Sequence, residues 1–153
     1  MYRIDDRLKE FCESALATVV GTTDAAGKPA IIYGSGLRIR DDRSSADVFV
    51  DSLRADQTLA NLGSSGRIAV TFANPVSYRS AQLKGHFLEA APATVEEMAW
   101  VRASRDAFLV AATLVGESPQ ALRSRWQDDV IRLAFVVEQA FDQTPGPGAG
   151  TPL

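Results

Sequence analysis

The stretch SYRSAQLKGHF, Ser77–Phe87, decides how the rest of the chain is read. Ala81, Leu83, Gly85 and Phe87 fall at every second position and suit a buried face, while Gln82, Lys84 and His86 lie between them. A period of two is that of a β-strand with one face in a core. The strand runs from Tyr78 to Glu89, long for a small domain. Its polar face meets water, a ligand or a second subunit. Most polar strand faces are simply solvated, and a lone histidine such as His86 is more often structural than catalytic.

Working outward, the same period recurs. RIAVTFA, residues 67–73, precedes this strand across the turn NPVS, and ADVFVDS, residues 46–52, lies further upstream. ALATVVGTT and AIIYGSGLRI, joined by DAAGKP, read as a hairpin: Asp24 opens the turn, Gly27 relaxes it and Pro29 starts the second strand. Gly34-Ser35-Gly36 inside that strand predicts a bulge or the close approach of something to the backbone. DVIRLAFVVEQAF, with Ile131, Leu133, Phe135 and Val137 facing one way, closes the set at about six strands. Ile4, Leu8, Phe11, Cys12 and Ala15 predict a leading amphipathic helix. LRADQTLANLG predicts a short helix that buries Leu59 and Leu62 and stops at Gly63. TVEE, from Thr94 to Glu97, is a capping-box signature for a long helix whose inner face carries Met98, Val101, Phe108 and Ala112. Ser118-Pro119 starts another short helix that runs to Trp126, and Trp100 and Trp126 read as packing residues. The connections are too short for parallel crossovers, so the fold class is mainly β (α+β): a six-stranded antiparallel barrel with peripheral helices.

Composition narrows the function. The 153 residues suit one domain, residues 1–142, with a helical insertion at about 94–127 and a Pro/Gly-rich tail at 143–153. The tail predicts neither helix nor inner strand; it is either disordered or a cover for a cleft. With 16 Lys+Arg against 19 Asp+Glu, the net charge of -3 argues against a nucleic-acid partner. One cysteine, Cys12, and one histidine exclude an internal disulfide and a His/Cys metal cluster. The charged N-terminus is unlike a secretory leader and no apolar run would span a membrane, so the expected location is the cytoplasm. There is no GxSxG elbow, and Gly34-Ser35-Gly36 lacks the third glycine and following helix of a dinucleotide fingerprint. Arg54 stands just before a helix start, where free amides and the helix dipole favour an anion. That makes it a phosphate candidate, the alternative being a surface arginine beside Asp51 and Asp56.

These segments together resemble the FMN-binding split-barrel family, which includes pyridoxamine 5'-phosphate oxidase. The likeness rests on ALATVVGTTDAAGKPAI, VFVDSLRADQTLANLGSSGRIAVTF, YRSAQLKGHF and the closing strand. The resemblance implies a split β-barrel that forms a homodimer, with FMN in clefts at the seam and a small-molecule substrate or redox partner still unknown. It implies cofactor contacts from Tyr33, Gly34 and Ser35 on the second strand, from Val50, Asp51 and Arg54 at the strand-to-helix corner, and from Arg79, Ser80 and Gln82 at the start of the fifth strand, with Lys84 nearby. Gly34 and Ser35 would let the flavin ring approach backbone amides, Arg54 would meet the phosphate, and Lys84 or His86 could supply a proton. The sequence departs from the family's oxidases in its cations. Ile32 and Leu37 stand where those carry Arg and Lys, and Leu53-Arg54-Ala55 replaces a Ser-Arg-Lys run. The departure keeps an alternative open: a split barrel without flavin that binds or senses a ligand. Haem through His86, or a deazaflavin, is a further option.

Overall fold

The computed structural model describes all 153 residues. Helix α1 (Asp6–Cys12) leads into strands β1 (Ala17–Thr23), β2 (Pro29–Ile39) and β3 (Ser45–Asp51). A 3-10 turn (Ser52–Arg54) and helix α2 (Asp56–Ser65) follow, then β4 (Arg67–Ala73) and β5 (Ser80–Pro92). Helices α3 (Val95–Leu114) and α4 (Pro119–Arg123) precede the last strand, β6 (Val130–Asp142). All pairings are antiparallel. The strands close in the order β1-β2-β3-β6-β5-β4, the expected six-stranded barrel with peripheral helices. No helix is long and apolar enough to cross a membrane.

The barrel interior is built by the alternation that the sequence displays. Val20, Ile68, Val70, Phe72, Leu83 and Phe135 are among the buried side chains of one continuous core, which α1 caps with Ile4, Leu8 and Phe11. Asp5 starts α1 by accepting the Leu8 amide at 2.7 Å. On β5, Ala81, Leu83 and Gly85 point inward, and Gln82, Lys84 and His86 point outward. β5 begins at Ser80 rather than Tyr78, because Tyr78 holds a left-handed φ of 62° in the preceding turn.

The glycines of β2 have a structural cause. The β2–β3 register shifts between Gly34 and Leu37, an inserted residue that brings Leu37 and Ile39 onto the core face already occupied by Ile32. Gly36 sits in the bulge at φ 98°, and a Cβ there would lie 2.7 Å from Ser104 Oγ of α3. What approaches this backbone is therefore the chain's own helix. At Gly34 a Cβ would lie 2.9 Å from Thr18 Cγ2 and 3.2 Å from Val48 Cγ2, so packing of neighbouring side chains already demands glycine there. No approaching ring is needed to explain it.

Helix α2 runs past Gly63 and ends at Gly66, which takes the left-handed cap conformation at φ 66° and returns its amide to Leu62. The predicted stop was the wrong glycine, since Gly63 has no left-handed requirement. Helix α3 has the predicted capping box: Thr94 Oγ1 accepts the Glu97 amide at 3.1 Å, and Glu97 accepts the Thr94 amide at 2.9 Å. Glu97 also receives Arg132 at 2.8 Å and Arg38 at 3.2 Å, which pins the helix start to the barrel wall. The tail folds back on its own chain. The Gly150 amide bonds Asp142, the Leu153 amide bonds Ala140, and Pro152 bridges Phe141. It is ordered without helix or inner strand, and it lies beside Tyr2, whose hydroxyl donates to the Leu153 carbonyl at 3.1 Å.

Candidate functional site

A cleft of about 320 Å³ opens between the outer side of β2 and the α3–α4 insertion. Its volume is within the range of small-molecule sites. Three parts of the chain meet there. β1 and β2 supply Thr18, Tyr33 and Ser35; the corner after β3 supplies Asp51 and Arg54; the insertion supplies Phe108, Arg125 and Trp126. The walls are largely apolar and aromatic, and two arginines line the same space.

Arg105 of α3 organises the cleft from behind. It is 6% exposed, in the middle of a helix face otherwise lined by Val101 and Leu109. Its guanidinium donates to Ser35 Oγ at 3.0 Å, to the Gln127 carbonyl at 2.9 Å and to Asp51 Oδ1 at 3.2 Å, and it lies 5.5 Å from the centre of the Trp126 ring. One side chain thus ties together β2, the end of β3 and the segment between α4 and β6. Burial pushes the Asp51 carboxyl above its usual value, against the pull of Arg105, the Gln127 amide and Arg54. The same burial lowers Arg105, against Asp51 and Asp128, yet a guanidinium stays protonated in proteins. The bulge at Gly34–Leu37 is what aims Ser35 at Arg105. Ser35 Oγ accepts that bond and keeps its own proton for another acceptor.

The residues singled out from the sequence divide by location. Tyr33, Gly34, Ser35, Asp51 and Arg54 line the cleft together. Val50 is adjacent in sequence but wholly buried in the barrel core, so its side chain has no access to the cleft. Ile32 and Leu37, at the positions of the family's strand cations, are also buried in the core. Arg79 and Ser80 border a separate depression, where Arg79 stacks 4.0 Å from the centre of Phe11 and Ser80 takes the Thr144 hydroxyl into its backbone bonds. Gln82 and Lys84 stand on the outer face of β5. Gln82 donates to Thr71 at 2.7 Å, and Lys84 lies 5.0 Å from the Phe141 ring centre. By register, Gln82 is opposite Thr71, Thr71 opposite Val19, and Val19 opposite Tyr33. Three strand spacings, on the order of 14 Å, therefore separate Gln82 from Tyr33 in one chain. His86 is outside the cleft and pairs at the surface with Glu138 at 3.2 Å.

Sequence reasoning missed Arg105, Arg125 and Trp126 as parts of this site. Arg105 breaks the apolar period of α3, and a cation at an inner-face position was the available signal. Arg125 and Trp126 are brought in from the far end of the insertion and carry no local signature.

The residues present suit a flat aromatic ligand with an anionic end. Aromatic and aliphatic side chains form the walls, Arg54 and Arg125 are free of ion pairs, and Thr18 has a buried hydroxyl with no partner at the cleft wall. No protein-family model and no curated protein matches the chain. Solved structures do. HupZ of Group A Streptococcus is 19% identical over 96% of this chain and 99% of its own, with a TM-score of 0.58. An F420 reductase is 14% identical over 86% and 94%, with a TM-score of 0.55. An FMN-binding protein of Syntrophomonas wolfei is 17% identical over 90% and 87%, with a TM-score of 0.52. At such identities the likeness is one of architecture: the chain has the split-barrel fold shared by FMN-binding and pyridoxamine 5'-phosphate oxidase-like proteins.

Proposed function

We propose that the chain binds FMN in the cleft between β2 and the insertion, as a homodimer, and works as a flavin-dependent oxidoreductase. The observation that carries this reading is the meeting of Tyr33, Ser35, Asp51 and Arg54 with Trp126 in one cleft of suitable size. When bound, the flavin supplies the hydride chemistry. The protein's tasks are then to hold, orient and shield. Phe108 and Trp126 offer apolar contact to a planar ring and displace water from it. Ser35, fixed by Arg105, offers its hydroxyl proton to a ring acceptor. Arg54 neutralises charge on the phosphate.

A second copy has a face to meet. Ile31 and Tyr33 are 75% and 67% exposed on the outer side of β2, level with small or half-buried residues of β1 and β4. Exposed large apolar groups on a sheet face favour association. In such a dimer Gln82 and Lys84 belong to the seam, which gives the outward polar groups of β5 a partner.

Spectroscopy and sizing test both parts. Protein purified without added cofactor is expected to show flavin absorption, and light scattering to give twice the chain mass. Added FMN at a hundred times its Kd should raise the melting temperature by roughly 5–10 °C, from about 2.7 kcal/mol of linkage. A colourless protein with no thermal response to FMN overturns the flavin reading, and a monomer overturns the seam.

One observation favours a second reading, a ligand-binding protein without flavin. Arg105, the most buried cation near the cleft, is engaged by Ser35, Gln127 and Asp51, and strand positions 32 and 37 are buried Ile and Leu, so few cations are left for a flavin phosphate. Thermal response to anionic ligands with none to FMN would select that reading.

A further inference from the structure

Arg54 and Arg125 line one cleft, and neither makes a side-chain hydrogen bond or an ion pair. They come from opposite sides of the molecule's design: Arg54 from the barrel corner, Arg125 from the segment just after α4. One carboxylate, Asp51, also lines the cleft and would cancel one of them. It is held instead by Arg105 at 3.2 Å, and both partners are nearly enclosed, with side chains 12% and 7% exposed. The Asp51–Arg105 pair is neutral as a unit, so Arg54 and Arg125 leave the cleft with a net surplus of positive charge, although Asp51 also feels Arg54. A phosphate monoester carries about -1.5 to -2 at neutral pH. The match is in charge, and strand positions 32 and 37, which hold buried Ile and Leu, supply no further cation.

We propose that Arg54 and Arg125 form a two-arginine phosphate clamp split between barrel and insertion, and that Arg105 acts behind it by keeping Asp51 from neutralising it. The ligand class, a phosphate monoester on an aromatic body, rests on the flavin reading. The clamp itself rests on the cleft. Guanidinium pairs hold phosphate oxygens through charge-assisted bonds. Arg105 is a positioning residue: it reaches the ligand only through Asp51 and Ser35.

The experiment compares FMN with riboflavin, which lacks the phosphate, by fluorescence titration. Arg125→Ala should weaken FMN about ten-fold or more and leave riboflavin within about three-fold. Arg54→Ala should do the same, and the double variant should bind the two ligands alike. Arg105→Gln frees Asp51 and should weaken FMN selectively, and adding Asp51→Asn should restore FMN to near the parent value. Should Arg105→Gln fail to fold, Asp51→Asn alone decides. Its amide oxygen still accepts from Arg105, so FMN affinity should hold or rise. Equal effects of Arg125→Ala on both ligands, or none, overturn the clamp. A selective loss of FMN in Asp51→Asn overturns the role given to Arg105. If the parent protein binds neither flavin, the flavin reading fails and inorganic phosphate judges the clamp: thermal stabilisation lost in the Arg54/Arg125 double variant upholds it, and no stabilisation of the parent refutes it.

Discussion

Two groups of arginines sit on the same barrel and differ in what surrounds them. Arg38, Arg40 and Arg132 converge on Asp47, which is wholly buried, and on Glu97 and Glu89. Arg38 donates from two nitrogens to Asp47 Oδ2, at 3.3 and 2.9 Å, and Arg40 donates from two nitrogens to Asp47 Oδ1, at 3.0 and 2.7 Å. Around the cleft, by contrast, the only enclosed carboxylate is already matched by Arg105, and Arg54 and Arg125 are left without partners. The difference shows how one residue type serves two ends. Where acids match the cations, here Asp47, Glu97 and the exposed Glu89 against Arg38, Arg40 and Arg132, the arginines fix an element, α3, to the sheet. Where cations exceed acids, the surplus is available to something from outside.

The comparison can be broken most directly at Asp47. Asp47→Ala strands two arginines against the barrel wall and should lower stability by about 3 kcal/mol in urea unfolding. A loss below about 1 kcal/mol would mean that solvent already screens the cluster and that the two groups are not different in kind. Arg54→Ala sharpens the contrast from the other side. Its stability should stay within about 0.5 kcal/mol of the parent, while FMN affinity falls about ten-fold, worth about 1.4 kcal/mol. A destabilised variant would place Arg54 among the structural arginines. The smallest effect belongs to Glu97. Burial opposes its ionisation, but the Thr94 amide, Arg132 and Arg38 outweigh burial and hold its pKa below the ordinary 4.5. A carboxylate with a lowered folded pKa contributes stability that is full above the ordinary value and is lost as pH falls through the lowered one. Glu97→Gln should flatten that acid limb in melting curves taken across it. Unchanged limbs would show that Glu97 does not hold α3 down.

The same contrast explains how much of the molecule could be read from its sequence. The strands were legible because inward residues such as Val70, Leu83 and Phe135 repeat at the period of the backbone itself. Thr94-Val95-Glu96-Glu97 was legible because a capping box is local. Gly34 and Gly36 were recognised as unusual, but only the fold assigns the causes: Thr18 and Val48 in one case, Ser104 in the other. The cleft was half legible. Arg54 announced itself beside a helix start. Arg105 did not, because a cation on an inner face makes sense only once Asp51, Ser35 and Gln127 are seen around it. Arg79 and Arg54 look equivalent as letters. Their difference is that Arg79 lies across Phe11, on another side of the barrel.

The ring of strands has a last consequence. Each of β1 to β6 has a hydrogen-bonded neighbour on both sides, so no strand lies wholly at an edge. The open rows are short: β3 accompanies β6 only to Val136, and the tail takes up part of the row beyond it through Pro152 and Phe141. Little is left on which a newcomer could add a strand or fibres could stack edgewise. A partner is therefore expected to dock broadside, through outward side chains such as Ile31 and Tyr33. A few substitutions there can therefore rewrite its associations and leave the backbone circuit intact.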